Sequence, residues 1–349
     1  MFNRILVPLD GSTLAERAIP HAEQFARIFG ADIILLQVLE PTSYHENPKA
    51  VDPLSWQIRK AEAELYMQGI AARIRENLGE NVLIGANEKK SQVDYAIREG
   101  KTAENIVDFA HAEDIDLIVI SSHGSGGLSR WNISSVTQKV IDLAYLHVLI
   151  VRAYSQAEME EPKIHYRRIL LPIDSSRRAE NSLSAGIALV RGETAIRNTA
   201  KAESSSSDLL TENPKLVLAA VIKPPEIPIP KPYPLEIDQL SEQLMEVSRR
   251  AVSNYLEEMK ERLPVECETR VVENDGVPSA IQELAGEDEI DLVLLSAHGY
   301  TGQFTWPYGT VTRNYMEHGT KPVLVIQDVP RSQVQPTAAQ IAAEKSGRR

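Results

Sequence analysis

The sequence predicts an α/β protein of two tandem doubly wound domains, each with a five-stranded parallel sheet flanked by helices. Three observations lead to this prediction. The chain has 349 residues, more than one ordinary domain of about 100–200 residues holds. Short apolar runs alternate with segments of helical periodicity. The segment RILVPLD at positions 4–10 returns as RILLPID at positions 168–174, which indicates a duplicated domain.

Further repeated segments align the two copies. SSHG at positions 121–124 returns as SAHG at 296–299, and VLIV at 148–151 returns as VLVI at 323–326. Between the first two landmarks the second copy is longer than the first. The excess coincides with residues 192–214, which include a run of serines and have little apolar periodicity. We therefore predict that this segment is an exposed, mobile insertion.

In the first copy, short apolar runs predict strands, and apolar residues three or four positions apart predict helices. The predicted strands are residues 5–9, 33–39, 82–86, 117–120 and 148–151. The predicted helices are residues 14–26, 53–78, 103–112 and 136–143. Ser12 is the predicted N-cap of the first helix. In the long helix, the predicted core-facing stripe consists of Leu54, Ile58, Ala61, Leu65 and Ile74.

The second copy repeats the same order of elements. Its predicted strands are residues 169–172, 216–222, 265–272, 292–295 and 323–326. Its predicted helices are residues 183–190, 239–262, 279–285 and 311–316. We therefore assign domain 1 to residues 1–152 and domain 2 to residues 166–328. The acidic segment 153–165 is predicted to be a linker, and residues 329–349 a flexible tail.

Composition and charge argue against several classes of function. The chain has 37 Lys and Arg against 49 Asp and Glu, and its net charge of −12 disfavours binding to nucleic acid or to an anionic membrane. The single cysteine, Cys267, rules out an intramolecular disulfide and is expected to be an inert core or edge residue. No apolar run is long enough for a transmembrane helix. The first strand begins so close to Met1 that we expect no signal peptide and a cytoplasmic location.

The predicted topology places ligand-binding loops at the carboxyl ends of the strands. In each copy these are the turn after the first strand, the exit of the second strand, and a glycine-containing loop that enters the last helix. Glycine lets the backbone approach a ligand closely, and N–H groups at a helix start attract anions. An aspartate, Asp10 or Asp174, follows the first strand. We therefore predict a phosphate cradle that faces a carboxylate across a crevice.

At these residues both copies resemble the universal stress protein family, over roughly residues 1–152 and 166–328. The family's nucleotide motif is Gly, two residues, Gly, nine residues, Gly, then Ser or Thr. In the first copy this frame reads Ser121, Gly124, Ser134, Ser135, and in the second Ser296, Gly299, Gly309, Thr310. A serine in place of glycine adds a Cβ, which is tolerated only where the backbone angles are ordinary. Domain 2 keeps more of the glycines and is the better match.

The resemblance implies an adenine nucleotide alpha hydrolase-like fold and a cytoplasmic stress-response protein that binds ATP, with Mg²⁺ as counter-ion, without strong catalysis. It implies no catalytic residue and no metal ligand. In domain 2, the preferred site, the implied nucleotide-binding residues are Pro172, Asp174, Val221, Ser296, His298, Gly299, Gly309, Thr310 and Val311. In domain 1, the weaker site, they are Pro8, Asp10, Val38, Ser121, His123, Gly124, Ser134, Ser135 and Val136.

The resemblance also implies dimerisation through the last strand of each domain. Residues 148–151 and 323–326 are apolar, and an edge strand of that character is unlikely to stay bare. We therefore expect them to pair within one chain as an intramolecular pseudo-dimer. A further homodimer of the whole chain is left open.

Purely structural roles are alternatives for several of these residues. Asp10 and Asp174 can equally accept hydrogen bonds from backbone N–H groups of a turn before a helix. His123 and His298 are better explained as residues that hold their loop by a backbone hydrogen bond than as bases or phosphate contacts. The reason is that no acid or nucleophile lies at a telling spacing from either histidine.

Ser135 and Thr310 are expected to cap helices, a role that is compatible with phosphate binding. Arg130 could meet a phosphate, but its counterpart in the second copy is a threonine, which favours a solvated surface residue. Trp131 and Trp306 are expected to pack or to lie at an interface rather than to stack on a base.

Other classes of function stay open or are disfavoured. A nucleotide-free scaffold of the same fold, acting through a protein contact, is the main alternative, and slow ATP hydrolysis is a weaker third hypothesis. The sequence lacks the G-x-G-x-x-G, Walker A and G-x-S-x-G motifs, which disfavours a dehydrogenase, a P-loop NTPase and an α/β-hydrolase. Residues 223–234, rich in proline, are expected to form a stiff loop beside the domain 2 pocket, where a lid role is an alternative.

Overall fold

A computed structural model describes residues 1–40, 53–79, 91–124, 133–153, 164–203, 213–230, 232–287, 290–300 and 307–329. Domain 1 contains strands β1 (Arg4–Leu9), β2 (Asp32–Leu39), β3 (Val93–Glu99), β4 (Leu117–Ser121) and β5 (His147–Val151). Its helices are α1 (Thr13–Glu16), α2 (Ala18–Phe29), α3 (Pro53–Leu78), α4 (Thr102–Ala112) and α5 (Ser135–Ala144).

Domain 2 repeats this order of strands and helices. Its strands are β6 (Arg168–Pro172), β7 (Lys215–Ile222), β8 (Cys267–Glu273), β9 (Leu292–Ser296) and β10 (Val323–Ile326). Its helices are α6 (Arg177–Asn181), α7 (Leu183–Glu203), α8 (Leu235–Arg262), α9 (Val277–Glu287) and α10 (Thr310–His318). None of the helices in the described ranges is long and apolar enough to cross a membrane.

The described strands form one ten-stranded sheet in the order β3-β2-β1-β4-β5-β10-β9-β6-β7-β8. Within each domain neighbouring strands are parallel. The second and third strands lie on one side of the first strand, β1 or β6, and the fourth and fifth strands lie on its other side. At the centre β5 and β10 pair antiparallel, with Leu149 opposite Leu324. The doubly wound α/β fold predicted from the repeat is confirmed, and the last strands of the two domains meet within the chain as expected.

Helices cover both faces of the sheet, which explains why the central strands are almost entirely apolar. Successive side chains of a strand point to opposite faces, so Ile5 and Val7 join one core cluster and Leu6 joins the other. The first cluster contains residues of α2, α3, α7 and α8, such as Phe25. The second contains residues of α4, α5, α9 and α10, such as Ile106.

The helices that follow β1 and β6 begin in the same way. The Ser12 hydroxyl accepts the Ala15 N–H at 3.1 Å, so the predicted N-cap of the first helix is confirmed. In domain 2 the Ser176 hydroxyl accepts the Ala179 N–H at the same distance, 3.1 Å. These caps satisfy helical N–H groups that have no partner within the helix.

Helices α2 and α7 pack together where the two domains meet. Gly192 lies so close to Ile28 that a Cβ at this position would overlap the isoleucine side chain. The Glu193 carboxylate, which is buried, accepts the Gln24 side-chain N–H at 2.8 Å and the Tyr166 backbone N–H at 2.8 Å. Glu193 of domain 2 therefore provides the hydrogen-bond acceptor for a buried polar side chain of domain 1.

Arg152, directly after β5, binds the end of α10 across the domain boundary. Its guanidinium donates to the Tyr315 oxygen at 2.8 Å, to the Met316 oxygen at 2.9 Å and to the Lys321 oxygen at 3.2 Å. Carbonyls at a helix C-terminus carry partial negative charge, so a buried guanidinium stabilises them. The residue that follows β10 in domain 2 is Gln327, which bonds the Pro307 oxygen instead.

Two predictions about element positions are wrong. The third strand of domain 1 is β3, whereas the predicted strand 82–86 lies outside the described residues. β3 is an edge strand with alternating burial, so its sequence is less apolar than that of a central strand. Helix α7 continues to Glu203, so the first part of the predicted insertion is helical, because Glu193 and its neighbours pack against domain 1. Residues 204–212, with the serine run, lie outside the described residues.

The predicted core stripe of α3 is also wrong, apart from Ile74. Leu54 and Leu65 are 67% and 70% exposed, and the buried positions begin only at Ala63. A helix of 26 residues is about 39 Å long, whereas the eight-residue strand β2 spans about 26 Å. The first turns of α3 therefore have no sheet to pack against.

Cys267 begins the edge strand β8 and is half-buried. Burial raises the pKa of its thiol to about 11, which leaves little thiolate at neutral pH. This agrees with the expectation of an inert edge cysteine. Most of the predicted linker, 154–163, and most of the predicted tail, 330–349, lie outside the described residues.

Candidate functional site

Each domain has one large cavity at the carboxyl ends of its strands, among the described residues. Cavity 1, of about 730 Å³, opens between the turn after β1 and the loop after β4. Cavity 2, of about 460 Å³, opens at the corresponding place between β6 and β9. Small-molecule sites usually have volumes of about 300–1,000 Å³. The cavities lie where the strand order reverses, which is the expected place for a ligand in this topology.

The structure brings together every residue that the sequence analysis assigned to the two sites. Cavity 1 is lined by Pro8, Asp10, Val38, Ser121, His123, Gly124, Ser134, Ser135 and Val136. Cavity 2 is lined by Pro172, Asp174, Val221, Ser296, His298, Gly299, Gly309, Thr310 and Val311. Their role toward a ligand stays a prediction. Arg130, Trp131 and Trp306 lie outside the described residues.

In domain 2, Asp174 joins two loops across the crevice. Its Oδ1 accepts the Ser176 N–H at 3.1 Å, and its Oδ2 accepts the Tyr300 N–H at 2.7 Å. A Cβ at Gly299 would overlap Oδ2 of Asp174. A side chain at position 299 would therefore displace the Asp174 carboxylate from the space that it occupies.

Domain 1 has the same arrangement. Asp10 Oδ1 accepts the Ser12 N–H at 3.0 Å, and a Cβ at Gly124 would overlap Asp10 Oδ2. The turn-capping role considered for both aspartates is thus present in both domains. Each turn also contains a left-handed residue, Gly11 with φ of 82° and Ser175 with φ of 62°. Domain 2 accepts a strained serine where domain 1 has glycine.

The serines that replace motif glycines lie in ordinary backbone. Ser134 has φ −62° and ψ 152°, and Gly309 has φ −69° and ψ 163°. A Cβ at Gly309 would approach the Ala297 oxygen at 3.5 Å, an ordinary contact. Neither Ser121 nor Ser296 has a positive φ. Serine at these positions therefore distorts nothing, and its effect on a ligand comes from its hydroxyl.

That hydroxyl closes the start of α5. Ser134 Oγ accepts the Thr137 N–H at 3.1 Å and lies 2.9 Å from Thr137 Oγ1. The N-cap of α10 is Gly309, and no side chain caps this helix. The expectation that Ser135 and Thr310 are the caps is wrong by one residue, since each is the first residue of its helix. A side chain thus takes one helical N–H at the start of α5, whereas no side chain does so at the start of α10.

Each loop histidine is buried but has a different partner. His298 Nδ1 lies 2.7 Å from Asp328 Oδ1, and Asp328 Oδ2 lies 3.6 Å from Arg178 Nε. His123 Nδ1 lies 3.0 Å from the Ser122 hydroxyl. An acid therefore lies next to His298, although no telling spacing in the sequence indicates it. Asp328 comes just after β10, a direct neighbour of β9, and this adjacency is the signal that could have revealed it.

The described lining of cavity 1 contains more charged side chains than that of cavity 2. Glu40 Oε1 accepts the Thr102 N–H at 2.9 Å and its hydroxyl at 2.7 Å, and these bonds lower the pKa of Glu40. Val277 takes the place of Thr102 as the first residue of α9, and among the described residues the bonds to a carboxylate have no equivalent there. The sequence analysis missed the polar lining of cavity 1, namely Gln37, Glu40, Arg59, Glu62 and Tyr66. The proline-rich segment contributes no described residue to cavity 2, so the lid role gains no support.

Tyr66, in the wall of cavity 1, donates a hydrogen bond to Glu16 Oε1 at 3.1 Å. Burial, together with the adjacent Glu16 carboxylate, raises the pKa of Tyr66 well above its usual range. In domain 2, Tyr255 donates to Glu180 Oε1 at 2.8 Å in a corresponding arrangement. Both tyrosines stay protonated at neutral pH and tie the long helix of each domain to the short helix after its first strand.

A family model described as the Universal stress protein family matches residues 1–152 and again residues 165–327. Two similar proteins are Universal stress protein MJ0531 of Methanocaldococcus jannaschii and Universal stress protein YxiE of Bacillus subtilis. The first is 27% identical over 152 residues, covering 44% of this chain and 83% of that protein. The second is 31% identical over 157 residues, covering 44% of this chain and 100% of that protein.

Solved structures of similar fold extend over both domains. A universal stress protein from Archaeoglobus fulgidus is 16% identical, with a TM-score of 0.58, and covers 94% of this chain and 100% of that chain. At this identity the likeness concerns the fold. The family model therefore matches each half separately, and the structural likeness spans the two halves together.

Proposed function

This chain belongs to the universal stress protein family, and from this premise we propose that it is a stress-response protein that binds ATP or a related adenine nucleotide in cavity 2. The observation that carries the proposal is the start of α10, which no side chain caps and which lies beside Gly299 and Asp174 in one cavity. The proposal includes a cytoplasmic location, no strong catalytic activity, and an intramolecular pseudo-dimer formed through β5 and β10.

The phosphates would bind backbone N–H groups at the first turn of α10. The residues at this turn are Gly309, Thr310 and Val311, and all three line cavity 2. A helix N-terminus carries about half a positive charge, which favours an anion. The described lining of cavity 2 has no Lys or Arg, so this backbone charge is the attraction available there. Mg²⁺ would accompany ATP as the counter-ion of its phosphates.

The nucleoside would occupy the deeper, largely apolar part of cavity 2. Val277, Ile281 and Tyr308 offer an apolar surface for a base. Each carboxylate oxygen has more than one acceptor site, so Asp174 can accept a ribose hydroxyl in addition to its two backbone bonds. Val221, the residue just before the last one of β7, is placed to present its backbone to the base.

Isothermal titration calorimetry of the full chain with Mg-ATP tests the proposal. We expect saturable binding to the wild type and a clear loss of affinity in Asp174→Ala, since this change removes both the ribose acceptor and the link between the two loops. Asp238→Ala, on the exposed first turn of α8, is the matched control and should bind ATP as the wild type does. Absence of binding to the folded wild type would contradict the proposal.

A nucleotide-free scaffold is the second candidate, and exposed apolar residues favour it. Leu54 and Leu65 on α3, and Leu240 and Val247 on α8, are each more than half exposed. Such residues are common at protein contacts. Mass spectrometry of protein purified without added nucleotide separates the two candidates, since adenine nucleotide retained in the native sample argues against the scaffold.

Slow hydrolysis has one supporting observation, the Asp328 carboxylate next to His298. A carboxylate can orient an imidazole as a general base, but here we assign it to holding the loop after β9 in place. Phosphate release from ATP should therefore stay at background in the wild type. Release above background that His298→Ala abolishes would replace this assignment with a catalytic one.

A further inference from the structure

Exposed apolar side chains are concentrated on the two longest helices, α3 and α8. Among the described residues ten large apolar side chains are exposed, and seven of them lie in the first halves of these two helices. The seven are Leu54, Ile58 and Leu65 on α3, and Leu235, Leu240, Leu244 and Val247 on α8. Single exposed apolar residues are normal at a protein surface, but a group of them indicates a contact.

On α8 three of these side chains form a stripe along the outer side of the helix. Leu240, Leu244 and Val247 stand at positions i, i+4 and i+7, the spacing at which helical side chains share a face. We call these three residues the α8 stripe. At about 100° per residue they lie about 120–180° around the helix from Leu256, the buried residue of α8. No residue of 235–250 is buried, so the described part of the chain leaves the stripe uncovered.

The charge of the first twelve residues distinguishes α8 from α3. Residues 235–246 contain four carboxylates and no Lys or Arg, whereas residues 53–64 of α3 contain two charges of each sign. The four carboxylates belong to Glu236, Asp238, Glu242 and Glu246. Negative charge therefore borders the α8 stripe, which favours a partner that is both apolar and basic.

The chain itself contains such a segment directly after domain 2. Residues 330–349, which we call the basic segment, have four Lys and Arg against a single Glu, although the whole chain has a net charge of −12. Ile341 stands there among four alanines. The basic segment lies outside the described residues. Its composition is complementary to the α8 stripe in both apolar character and charge.

The basic segment starts at the same edge of the sheet as α8. β10, β9, β6 and β7 are successive parallel neighbours, so their carboxyl ends lie at one edge. Val329 follows β10, and α8 follows β7 and packs on it. Three strand spacings, about 14 Å, separate β10 from β7. Residues 330–336 extend up to about 23 Å, which is enough to bring the residues after them to the α8 stripe.

We propose that the basic segment docks on the first half of α8 in the same chain. Ile341 and its neighbouring alanines pack on the α8 stripe, and Lys345, Arg348 and Arg349 lie beside the α8 carboxylates. The contact supports a helical stretch that buries no residue of its own and would be marginal alone. α3 packs at the opposite end of the sheet and has balanced charge, so the segment selects α8. The docking is independent of what either cavity binds.

Paramagnetic relaxation measured by NMR on the full chain tests this placement. Cys267→Ser removes the single native thiol, and Gln340→Cys takes a nitroxide label in the middle of the basic segment. We expect the label to broaden the backbone amide signals of residues 235–250 and to leave those of residues 53–65 sharp. In 1 M NaCl the broadening should decrease several-fold, because the screening length falls to about 3 Å.

Leu244→Asp separates docking on the stripe from a general attraction between charges. It places a carboxylate at the centre of the α8 stripe, so the broadening of α8 should fall several-fold. Leu65→Asp, the same substitution at an exposed leucine of α3, is the matched control and should leave the broadening unchanged. A label that does not broaden α8, or that broadens it equally in Leu244→Asp, would overturn the proposal.

A mixed sample distinguishes docking within one chain from docking between two copies. A spin-labelled chain without ¹⁵N is mixed with an unlabelled-thiol chain that carries ¹⁵N, and α8 of the second chain should stay sharp. Broadening there as strong as within one chain would mean that the segment binds a second copy, which also overturns the proposal.

Hydrogen exchange gives a readout that needs no label. A chain that ends at Val329 lacks the basic segment, and the amides of residues 235–250 should then exchange about tenfold faster than in the full chain, because they lose the contact that stabilises them. The amides of residues 53–65 should exchange at the same rate in both chains. Equal exchange of α8 with and without the segment would contradict the docked contact.

Discussion

Cavity 1 and cavity 2 lie at the same place in two copies of one fold, yet the helix that borders each cavity begins differently. The N-cap of α5 is Ser134, whose hydroxyl takes a helical N–H, and the N-cap of α10 is Gly309, which has no side chain to do so. The backbone angles at the two positions differ by only about ten degrees. The two domains have therefore kept the backbone at this position and diverged in the side-chain atoms beside the cavity.

The same contrast extends around each cavity. Thr102 and Glu40 form a polar corner in domain 1, where domain 2 has Val277 at the equivalent helix start. Gln37 is replaced by Ala220. A duplicated site can change specificity by a few such substitutions because specificity depends on a small number of polar groups in an otherwise apolar cavity.

Among the variants of domain 2, Gly299→Ala is expected to reduce the affinity for ATP the most. The added Cβ overlaps Asp174 Oδ2, so the carboxylate must leave its bond to the Tyr300 N–H. We expect ATP affinity to fall about 100-fold or more, since both the loop and the ribose acceptor move. Gly286→Ala, at an open position in α9, is the control for calorimetry and should change nothing. Wild-type affinity in Gly299→Ala would show that the carboxylate is irrelevant to the ligand.

A second difference between the domains is His21, whose equivalent along the first long helix of domain 2 is a buried alanine, Ala185. Burial lowers the pKa of His21 to about 4 from 6.5, so between these values the unfolded chain binds the proton more tightly. The free energy of unfolding should therefore decrease as pH falls from about 6.5 to 4, by about 2 kcal/mol between pH 7 and 5.

Urea unfolding of the wild type and His21→Asn at pH 7 and pH 5 measures this contribution. The difference between the two pH values should shrink in the variant, because the titrating group is gone. His318→Asn removes a more exposed histidine on α10 and should keep the wild-type difference. An unchanged pH dependence in His21→Asn would assign the effect to other groups.

Gly309→Ser tests whether the different N-caps of α5 and α10 affect binding, because it gives α10 the serine cap that α5 has. A serine fits there without strain, so the fold should be kept while the hydroxyl competes for the helical N–H groups. We expect ATP affinity to fall about tenfold, the order of a lost charge–dipole contact and hydrogen bond. Equal affinity in this variant would mean that phosphates do not bind at this turn.

The smallest expected effect concerns the left-handed turn after the first strand. Ser175→Gly should stabilise domain 2 by about 0.5–1 kcal/mol, because the native φ of 62° is unfavourable for serine and free for glycine. The reverse change, Gly11→Ser in domain 1, should destabilise it by a similar amount. Thermal unfolding of both variants would show opposite shifts, and shifts of the same sign would contradict the strain argument.

The fold was predictable because central strands buried on both faces have nearly continuous apolar sequences, and because the repeat supplied the topology twice. The same logic failed at β3, where an edge strand such as VDYAIRE has too few apolar residues to stand out. It also failed on α3, where Leu54 and Leu65 have helical spacing but lie beyond the sheet. Periodicity indicates which residues share a face, not which face is covered.

The candidate sites were predictable as far as they depend on sequence motifs that end at the same edge of the sheet. Asp10 and Gly124 are far apart in the chain, yet both belong to short motifs that recur. Gln37 and Asp328 belong to no motif. Their meaning comes from neighbouring strands and from burial, which a single sequence does not contain.

The antiparallel contact of β5 with β10 has a genetic consequence. In a homodimer of single-domain chains every substitution appears in both subunits, so a change that suits one site is imposed on the other. Here the two halves are encoded separately within one chain and share a continuous sheet. Each cavity is thereby free to accumulate its own mutations, with its partner always present at a ratio of one to one.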